Sequence, residues 1–220
     1  MSNQDQSWGI LPTQQDEDNT RAHAVSDPAG YHAGIAGREL HWFDGNTQSW
    51  ISQTDTGEWA GWHDRDASSA HADASWQPWS HPLDDSLAPY YRWFVDGQTN
   101  ACFNLIDRHV LSGRGDQIAI IFEGDRWDPS KNDGRGGPVH EQRVTYRELL
   151  VEVALRTRVL KQADLSCGDR VALNLPNVLE QIFYILACQR LGVIYTPVFG
   201  GFSAKTLSDR IHDAGAKVVI

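Results

Sequence analysis

The stretch that decides the fold is Thr196-Pro-Val-Phe-Gly-Gly-Phe-Ser-Ala-Lys-Thr-Leu-Ser-Asp-Arg-Ile211. It follows Val193-Ile-Tyr195, a short run of apolar, β-branched and aromatic residues that predicts a strand. Leu207 and Ile211 lie one helical turn apart and Ser203 is a natural N-cap, so the second half of the stretch predicts a helix. The sequence here therefore predicts a strand, a glycine loop and a helix in succession.

The glycine loop admits two interpretations. Gly200 and Gly201 let the backbone turn sharply and let a ligand approach closely. Unpaired N–H groups and the positive end of the helix dipole suit such a junction to an anionic or nucleotide ligand. Two glycines between a strand and a helix are also ordinary turn chemistry without any ligand. Spacing alone favours the ordinary turn.

The sequence from residue 100 onward alternates helices and strands, which predicts a parallel sheet with helices on both faces. In such sheets ligands bind beyond the carboxyl ends of the strands, where Phe199-Gly-Gly201 lies. Along this part of the chain the sequence predicts a helix capped by Asn100, a buried strand from Ile118 to Phe122, a helix with a capping box at Thr145-Tyr-Arg-Glu148, a strand from Val171 to Leu175, a helix from Pro176-Asn177 to Gly192, and a further strand at Lys217-Val-Val-Ile220.

Tryptophan concentrates before residue 100, where eight of the nine tryptophans lie. Three short aromatic runs separated by turns predict a three-stranded β-meander, namely Leu40-His-Trp-Phe43, Ser49-Trp-Ile-Ser52 and Glu58-Trp-Ala-Gly-Trp62. The meander is either a binding module of the peptide- or sugar-binding kind or an element packed on its neighbour. Packing is favoured, because the aromatic series continues to Trp93 without a linker. The histidines of this region, His41, His63, His71 and His81, have no metal-ligand spacing and are expected at the surface.

Charge and cysteine content narrow the class of protein. The 19 basic and 29 acidic residues give a net charge of -10, which argues against a nucleic-acid or anionic-membrane partner. The three cysteines are far apart and show no metal-ligand spacing, so no metal site is predicted. Residues 1 to 20 do not resemble a signal peptide, and no apolar run reaches the ~20 residues that span a bilayer. A cytoplasmic protein is predicted.

Seven motifs in this order resemble the adenylate-forming acetyl- and propionyl-CoA ligases, which release AMP. They cover residues 80 to 220 and are Tyr91-Arg-Trp-Phe94, Asn100-Ala-Cys-Phe-Asn-Leu-Ile-Asp-Arg-His109, Ile118-Ala-Ile-Ile-Phe-Glu-Gly124, Thr145-Tyr-Arg-Glu-Leu149, Gly168-Asp-Arg-Val-Ala172, Val198-Phe-Gly-Gly-Phe-Ser203 and Asp209-Arg-Ile-His-Asp213. The resemblance implies the α/β fold of the ligase N-terminal domain, with the chain ending inside that domain. It divides the chain into a polar, largely disordered leader (1–37), the meander (38–79) and the ligase region (80–220).

The resemblance also assigns site residues. Phe199, Gly200 and Gly201 match the family's loop that contributes to the CoA pocket, where an aromatic face can stack on adenine at about 1–3 kcal/mol per base. Arg210 is expected to be an ion-pair partner of Asp209 or Asp213. The family's phosphate loop, its ribose-binding acidic residue and its adenylation lysine match nothing before Ile220, so no catalytic residue is assigned and the chain alone is not expected to be active. The implied ligands are CoA, ATP and Mg²⁺.

An insertion indicates one branch of the family. The resemblance is to the fused propionyl-CoA synthases. It rests on Gly124-Asp-Arg-Trp-Asp128, Gly134-Arg-Gly-Gly-Pro138, Tyr195-Thr-Pro197 and the tryptophan-rich region before residue 100. Those enzymes convert 3-hydroxypropionate, ATP, CoA and NADPH to propionyl-CoA through an acyl-adenylate, 3-hydroxypropionyl-CoA and acryloyl-CoA. The implied partners are the acid substrate and downstream domains of the same polypeptide, and the family allows a homodimer.

Three alternatives stay open at this point. The chain could belong to a stand-alone acetyl- or propionyl-CoA synthetase, or be a non-catalytic module that binds through its tryptophans. Within the insertion, Arg126 and Arg135 are either phosphate contacts or solvated loop residues, and solvation is favoured.

Overall fold

The computed structural model describes residues 13–54, 56–62 and 75–220. The helices are α1 (Gln14–Ser26), α2 (Pro28–Glu39), a single distorted turn α3 (Lys131–Gly134), α4 (Tyr146–Gln162), α5 (Leu179–Leu191) and α6 (Ala204–Ala214). Two π-helical segments, π1 (Phe103–Asp107) and π2 (Val110–Arg114), follow Asn100. Within the described ranges, every helix is too short or too polar to span a bilayer.

The strands fall into several small sheets. They are β1 (Trp42–Asp44), β2 (Ser49–Gln53), β3 (Trp59–Trp62), β4 (His81–Asp84), β5 (Arg92–Val95), β6 (Ile118–Glu123), β7 (Trp127–Asp128), β8 (Gly137–Pro138), β9 (Glu141–Thr145), β10 (Arg170–Leu173), β11 (Ile194–Pro197) and β12 (Val218–Val219). The antiparallel pairs are β4 with β5, β6 with β9, and β7 with β8. The site is built on the parallel sheet, whose strand order is β11, β10, β12.

The parallel sheet is central to the main core, and it confirms the predicted α/β class. Strand β10 pairs in parallel with β11 on one side and β12 on the other. Val171, Ala172 and Leu173 are completely buried, and because successive strand residues point to opposite faces, both faces of β10 are covered. The core around β10 is completed by apolar residues of α4 and α5, including Val153, Leu160, Phe183 and Leu186.

Three predicted helix caps are confirmed. Thr145 and Glu148 form a reciprocal capping box at the start of α4. Gly192 ends α5 in the left-handed conformation, with φ of 69°, which glycine adopts without a steric penalty. The Ser203 hydroxyl accepts a hydrogen bond from the Thr206 amide at 3.2 Å and so begins α6. These caps determine the residues at which the helices beside the sheet begin or end.

The predicted buried strand from Ile118 to Phe122 needs a correction. It forms β6, but β6 pairs antiparallel with β9 and not with the parallel sheet. Ile118 and Ile121 are 45% and 57% exposed, while Ile120 and Phe122 pack on the core. The insertion over residues 124–142 folds back as the β7–β8 hairpin and places β9 beside β6. An apolar run that would suit a central strand is therefore only half-buried.

The expected disordered leader is corrected over residues 13–37, which form α1 and most of α2. Thr13 caps α1 through the Asp16 amide, and the carboxylate of Asp27 caps α2 through the Gly30 amide at 2.9 Å. Pro28 stands at the first turn of α2, a position that favours helix initiation. These capping signals outweigh the glycines of α2. Helix α1 buries no residue, and residues 1–12 of the predicted leader lie outside the described part.

The predicted tryptophan meander is confirmed as the antiparallel sheet β1-β2-β3. Trp50 of β2 is only 1% exposed and stacks on Phe103 of π1, with ring centroids 4.0 Å apart and planes 12° apart. Asn104 of π1 donates to the His41 carbonyl at 3.0 Å and accepts from the His41 amide at 2.8 Å. These contacts favour packing on the neighbouring region over an independent binding module.

The histidines of the meander region do not all lie at the surface. His41 is half-buried, and burial together with the nearby Arg108 guanidinium lowers its pKa to about 4. Removal from water disfavours the charged ring, so the expectation of a surface residue is wrong for His41. His81 is exposed as expected. His63 and His71 lie outside the described residues.

Candidate functional site

The carboxyl ends of β10 and β11 meet at one edge of the parallel sheet. Leu173 pairs with Pro197, and the Val198 amide donates to the Leu173 carbonyl at 2.8 Å, so the two strands end side by side. The chain leaves β10 through residues 174–178 and leaves β11 through residues 198–203. A cavity of about 490 Å³ opens between these two loops. This is the edge where parallel sheets bind ligands.

The cavity has an apolar floor and a few polar groups. Leu175, Pro176 and Pro197 supply apolar surface. Asn177 and Gln181 add amide groups from the loop after β10 and from α5. When its amide nitrogen faces that loop, Gln181 donates to the carbonyls of Leu175 at 3.3 Å and Pro176 at 2.9 Å. The loop after β10 is thereby tied to α5.

Phe199, Gly200 and Gly201, assigned from the sequence, all line this cavity. Phe199 is 66% exposed, so its ring presents a free aromatic surface. A Cβ on Gly201 would lie 2.4 Å from Cε1 of Phe199, so the ring lies directly against the Gly201 backbone. A Cβ on Gly200 would meet no atom within 4 Å and would project into open space. In this position the Phe199 ring occupies the space that a side chain at 201 would need, whereas Gly200 leaves room for a ligand.

The expected ion pair of Arg210 is wrong. The Arg210 guanidinium lies over the ring of Phe202, 5.1 Å from its centroid. Asp209 is bonded to Lys205 at 2.7 Å, the i,i+4 pairing that helices favour. The edge of Phe202 in turn meets Phe199, with centroids 5.8 Å apart and planes at 81°. A planar guanidinium is well suited to stack on an aromatic face, which explains the different partner.

The insertion contributes one side chain to the cavity. Asp125, its second residue, lines the cavity together with the glycine loop. Arg126 and Arg135 are exposed and do not line the cavity, which supports their interpretation as solvated loop residues. The hairpin is held by its own bonds, among them the Val139 amide to the Arg126 carbonyl at 2.7 Å. The role of the insertion as a phosphate contact stays untested.

Sequence reasoning missed several residues of the cavity. A signal for Asn177 was present, because Pro176-Asn177 directly follows a predicted parallel strand and so belongs at the same edge as the glycine loop. No sequence signal placed Asp125, since its position depends on how the insertion folds back. The sequence also did not predict the stacking of Arg210 on Phe202, because acidic residues close to Arg210 in sequence indicated an ion pair instead.

The chemistry available here is binding. An exposed aromatic face, an apolar floor and acceptor groups suit a flat heteroaromatic ring with amino substituents. Among the described residues, no group of three His, Cys, Asp or Glu side chains could hold a metal ion. The three cysteines are free thiols, with Cys102 and Cys188 buried and Cys167 exposed, and none lines the cavity.

Comparison with known sequences identifies the family. The profile described as "AMP-binding enzyme" matches residues 108–220, just over half of the chain. The chain belongs to the AMP-binding enzyme family. A second profile, "Acetyl-coenzyme A synthetase N-terminus", matches residues 67–105. The AMP-binding region thus includes π2, the insertion, the parallel sheet and the glycine loop.

Relatives of this AMP-binding chain are acetyl-coenzyme A synthetases. The one from Methylobacillus flagellatus is 46% identical over 155 residues, which are 70% of this chain and 22% of the relative. Those from Burkholderia lata and Mycobacterium bovis are 42% and 43% identical, each over 66% of this chain and over 20% and 21% of the relative. The chain therefore spans about a fifth of the length of the curated relatives it matches. The expected resemblance to acyl-CoA ligases is confirmed at this level.

Proposed function

We propose that this chain forms part of an AMP-forming acyl-CoA ligase. In that reaction a carboxylate attacks the α-phosphorus of ATP, giving an acyl-adenylate and releasing pyrophosphate. The thiolate of CoA then attacks the acyl carbon, giving the thioester and releasing AMP. The family assignment and the acetyl-coenzyme A synthetase relatives support this reaction class. ATP and Mg²⁺ enter the proposal through the family assignment.

Within that reaction, the loop formed by Phe199, Gly200 and Gly201 binds CoA. The observation that carries this assignment is the 66% exposed ring of Phe199 at the rim of a cavity where the strands β10 and β11 end. The exposed face of Phe199 is therefore open to a flat ligand at the edge where parallel sheets bind ligands. The adenine of CoA is a flat ring of suitable size, and stacking on an aromatic side chain contributes about 1–3 kcal/mol.

The Phe199→Ala variant should separate the two half-reactions. Loss of the stacking face should raise the KM for CoA by roughly 5- to 150-fold, the factor that corresponds to about 1–3 kcal/mol. Acid-dependent exchange of pyrophosphate into ATP does not require CoA and should stay near the wild-type rate. Both activities are measured on the full-length enzyme with purified CoA and acid.

Tyr90→Ala provides the matched control. Tyr90 is 80% exposed in the loop between β4 and β5 and does not line the cavity, so its removal should change neither half-reaction. If Phe199→Ala slows pyrophosphate exchange as much as it weakens CoA use, the ring serves the integrity of the sheet. The CoA assignment would then be rejected in favour of ordinary turn chemistry.

A narrower proposal concerns the acid. The insertion over residues 124–142 resembles that of the fused propionyl-CoA synthases, and it reaches the cavity through Asp125. On this basis the acid is 3-hydroxypropionate, and the complete polypeptide also dehydrates the CoA ester to acryloyl-CoA and reduces it with NADPH. The coarser assignment to acyl-CoA ligases does not depend on this step.

The acid is tested by comparing substrates on the complete protein. We expect kcat/KM for thioester formation to be at least about tenfold higher with 3-hydroxypropionate than with acetate or propionate, which a site hydrogen-bonded to the extra hydroxyl can achieve. NADPH should be consumed only when 3-hydroxypropionate, ATP and CoA are all present. A preference for acetate with no NADPH consumption would assign the protein to the stand-alone acetyl-coenzyme A synthetases.

A further inference from the structure

The ring of Phe199 is exposed, but it also contacts other groups of its own loop. With 66% of its surface accessible, burial does not fix its orientation. Free rotation of such a ring would blur any flat surface it offers to a ligand, and a ligand would have to order it on binding. The contacts of the ring within the loop are therefore the features that set its orientation.

The Phe199 ring has two contacts within its loop. The backbone of Gly201 lies under the ring, so close that a Cβ there would be 2.4 Å from Cε1 of Phe199. Phe202 meets Phe199 at 81°, with centroids 5.8 Å apart, which is the edge-to-face arrangement that aromatic pairs favour. The ring thus contacts both a backbone segment and a second ring.

The second ring is itself held by a cation. Arg210 places its guanidinium carbon 5.1 Å from the centroid of Phe202, and it does so from the second turn of α6. Asp209, next to Arg210 in sequence, forms a salt bridge with Lys205 at 2.7 Å. Arg210 itself stacks on the Phe202 ring. The sequence of contacts runs from α6 through Phe202 to Phe199.

We propose that Phe202 and Arg210 are positioning residues, which hold the Phe199 ring in the orientation that stacks on the adenine of CoA. The proposal rests on the proposed function of the loop in CoA binding. In this proposal Arg210 acts by stacking on the Phe202 ring, and it does not contact a phosphate of CoA. The cap at Ser203 places Arg210 in the second turn of α6.

The ring orientation is tested without any ligand. 4-Fluorophenylalanine is incorporated at position 199, and its fluorine NMR signal is recorded in the wild type, in Arg210→Ala and in Arg210→Lys. We expect Arg210→Ala to shift and narrow the signal, because the ring gains freedom. Lysine keeps a cation for the aromatic face, so Arg210→Lys should restore part of the change. Lys205→Ala, on the same helix but outside the stack, is the matched control and should leave the signal unchanged.

The consequence for CoA is tested by a double-mutant cycle. Arg210→Ala should weaken CoA binding about two- to tenfold in the wild type, as measured by titration with CoA, and should have no further effect in Phe199→Ala. An unchanged fluorine signal in Arg210→Ala overturns the positioning role. An equal loss of affinity in both backgrounds overturns it as well, since Arg210 would then contact CoA directly.

The two proposals fail in different ways. If the fluorine signal responds to Arg210→Ala as expected but Phe199→Ala binds CoA normally, the stack exists and the CoA assignment of the loop is wrong. If Phe199→Ala loses CoA affinity while Arg210→Ala changes neither the signal nor the affinity, the CoA assignment stands and the positioning role is wrong.

Discussion

Arg190→Ala is expected to lower the free energy of unfolding by about 3–5 kcal/mol, the cost of breaking a buried ion pair by removing one partner. Asp107 of π1 is buried and Arg190 of α5 is largely buried, with 7% and 12% of their side chains exposed, and the two guanidinium nitrogens donate to the two carboxylate oxygens at 3.0 and 2.5 Å. Without Arg190 the carboxylate would be left in the interior. Burial already raises the pKa of Asp107, so the variant should take up a proton as it folds.

The same pair joins two parts of the chain that lie far apart in sequence. Asn100 reinforces the junction, because its side-chain nitrogen donates to the carbonyls of Gln189 at 3.2 Å and Arg190 at 3.1 Å. Its oxygen accepts from the Phe103 amide at 3.1 Å. The predicted helix cap at Asn100 is therefore confirmed, and it also anchors the end of α5. Loss of Arg190 should loosen the contact between π1 and α5.

Chemical denaturation of the whole protein measures the effect, with Arg92→Ala as the control. Arg92 pairs with Asp84 on the surface, where solvent screens an ion pair, so Arg92→Ala should change stability much less than Arg190→Ala. Replacing both buried partners by apolar residues, as in Arg190→Met with Asp107→Leu, should recover much of the loss, since no charge is then left unpaired. A loss below about 1 kcal/mol for Arg190→Ala would show that the pair is solvated and contributes little.

Trp50→Ala should have an effect of similar size, about 3–5 kcal/mol, because it removes a large, fully buried aromatic side chain. Trp50 fills the space between the meander and π1, where it stacks on Phe103 at 4.0 Å and meets Phe43 edge-on at 5.1 Å. The cavity left by the indole would lie between the meander and π1, where Phe103 belongs to the stretch matched by the acetyl-coenzyme A synthetase N-terminus profile.

The unfolding of this variant also decides between the two interpretations of the meander. If the meander is a packed part of the enzyme, Trp50→Ala should lower the stability of a single cooperative transition that includes the parallel sheet. Trp127→Ala, an exposed tryptophan of the insertion, should change stability by less than about 0.5 kcal/mol. Separate unfolding of the meander, with the sheet unaffected, would restore the independent binding module.

The sequence predicted most of what depends on local signals. The caps at Thr145, Gly192 and Ser203 each consist of residues within four positions of one another, so a linear reading detects them. The parallel sheet followed from the alternation of helices and strands, and the position of the glycine loop followed from the rule for carboxyl ends. That rule predicts the sheet edge at which Phe199, Gly200 and Gly201 lie, and the cavity found there is lined by all three.

The sequence failed where the outcome depends on long-range competition. An apolar run such as Ile118 to Phe122 does not distinguish a central strand from a half-buried antiparallel one. The distinction came from the folded insertion, which supplied β9 as the partner. Carboxylates stand close to Arg210 in sequence, but one of them, Asp209, forms a salt bridge with Lys205. The Arg210 guanidinium stacks on the ring of Phe202. Neither competition is visible in a single sequence.

The hairpin of the insertion is held together by its own hydrogen bonds, so this side of the cavity can vary independently of the parallel sheet. Its two ends are joined by the bond from the Gly124 amide to the His140 carbonyl at 2.9 Å, next to the β6–β9 pairing. Changes in the length or sequence of the hairpin can therefore alter what surrounds Asp125 while the parallel sheet and the glycine loop stay in place. Substitutions or length changes in the hairpin can thus adapt the entrance of the cavity to a new partner domain or ligand while the fold stays the same.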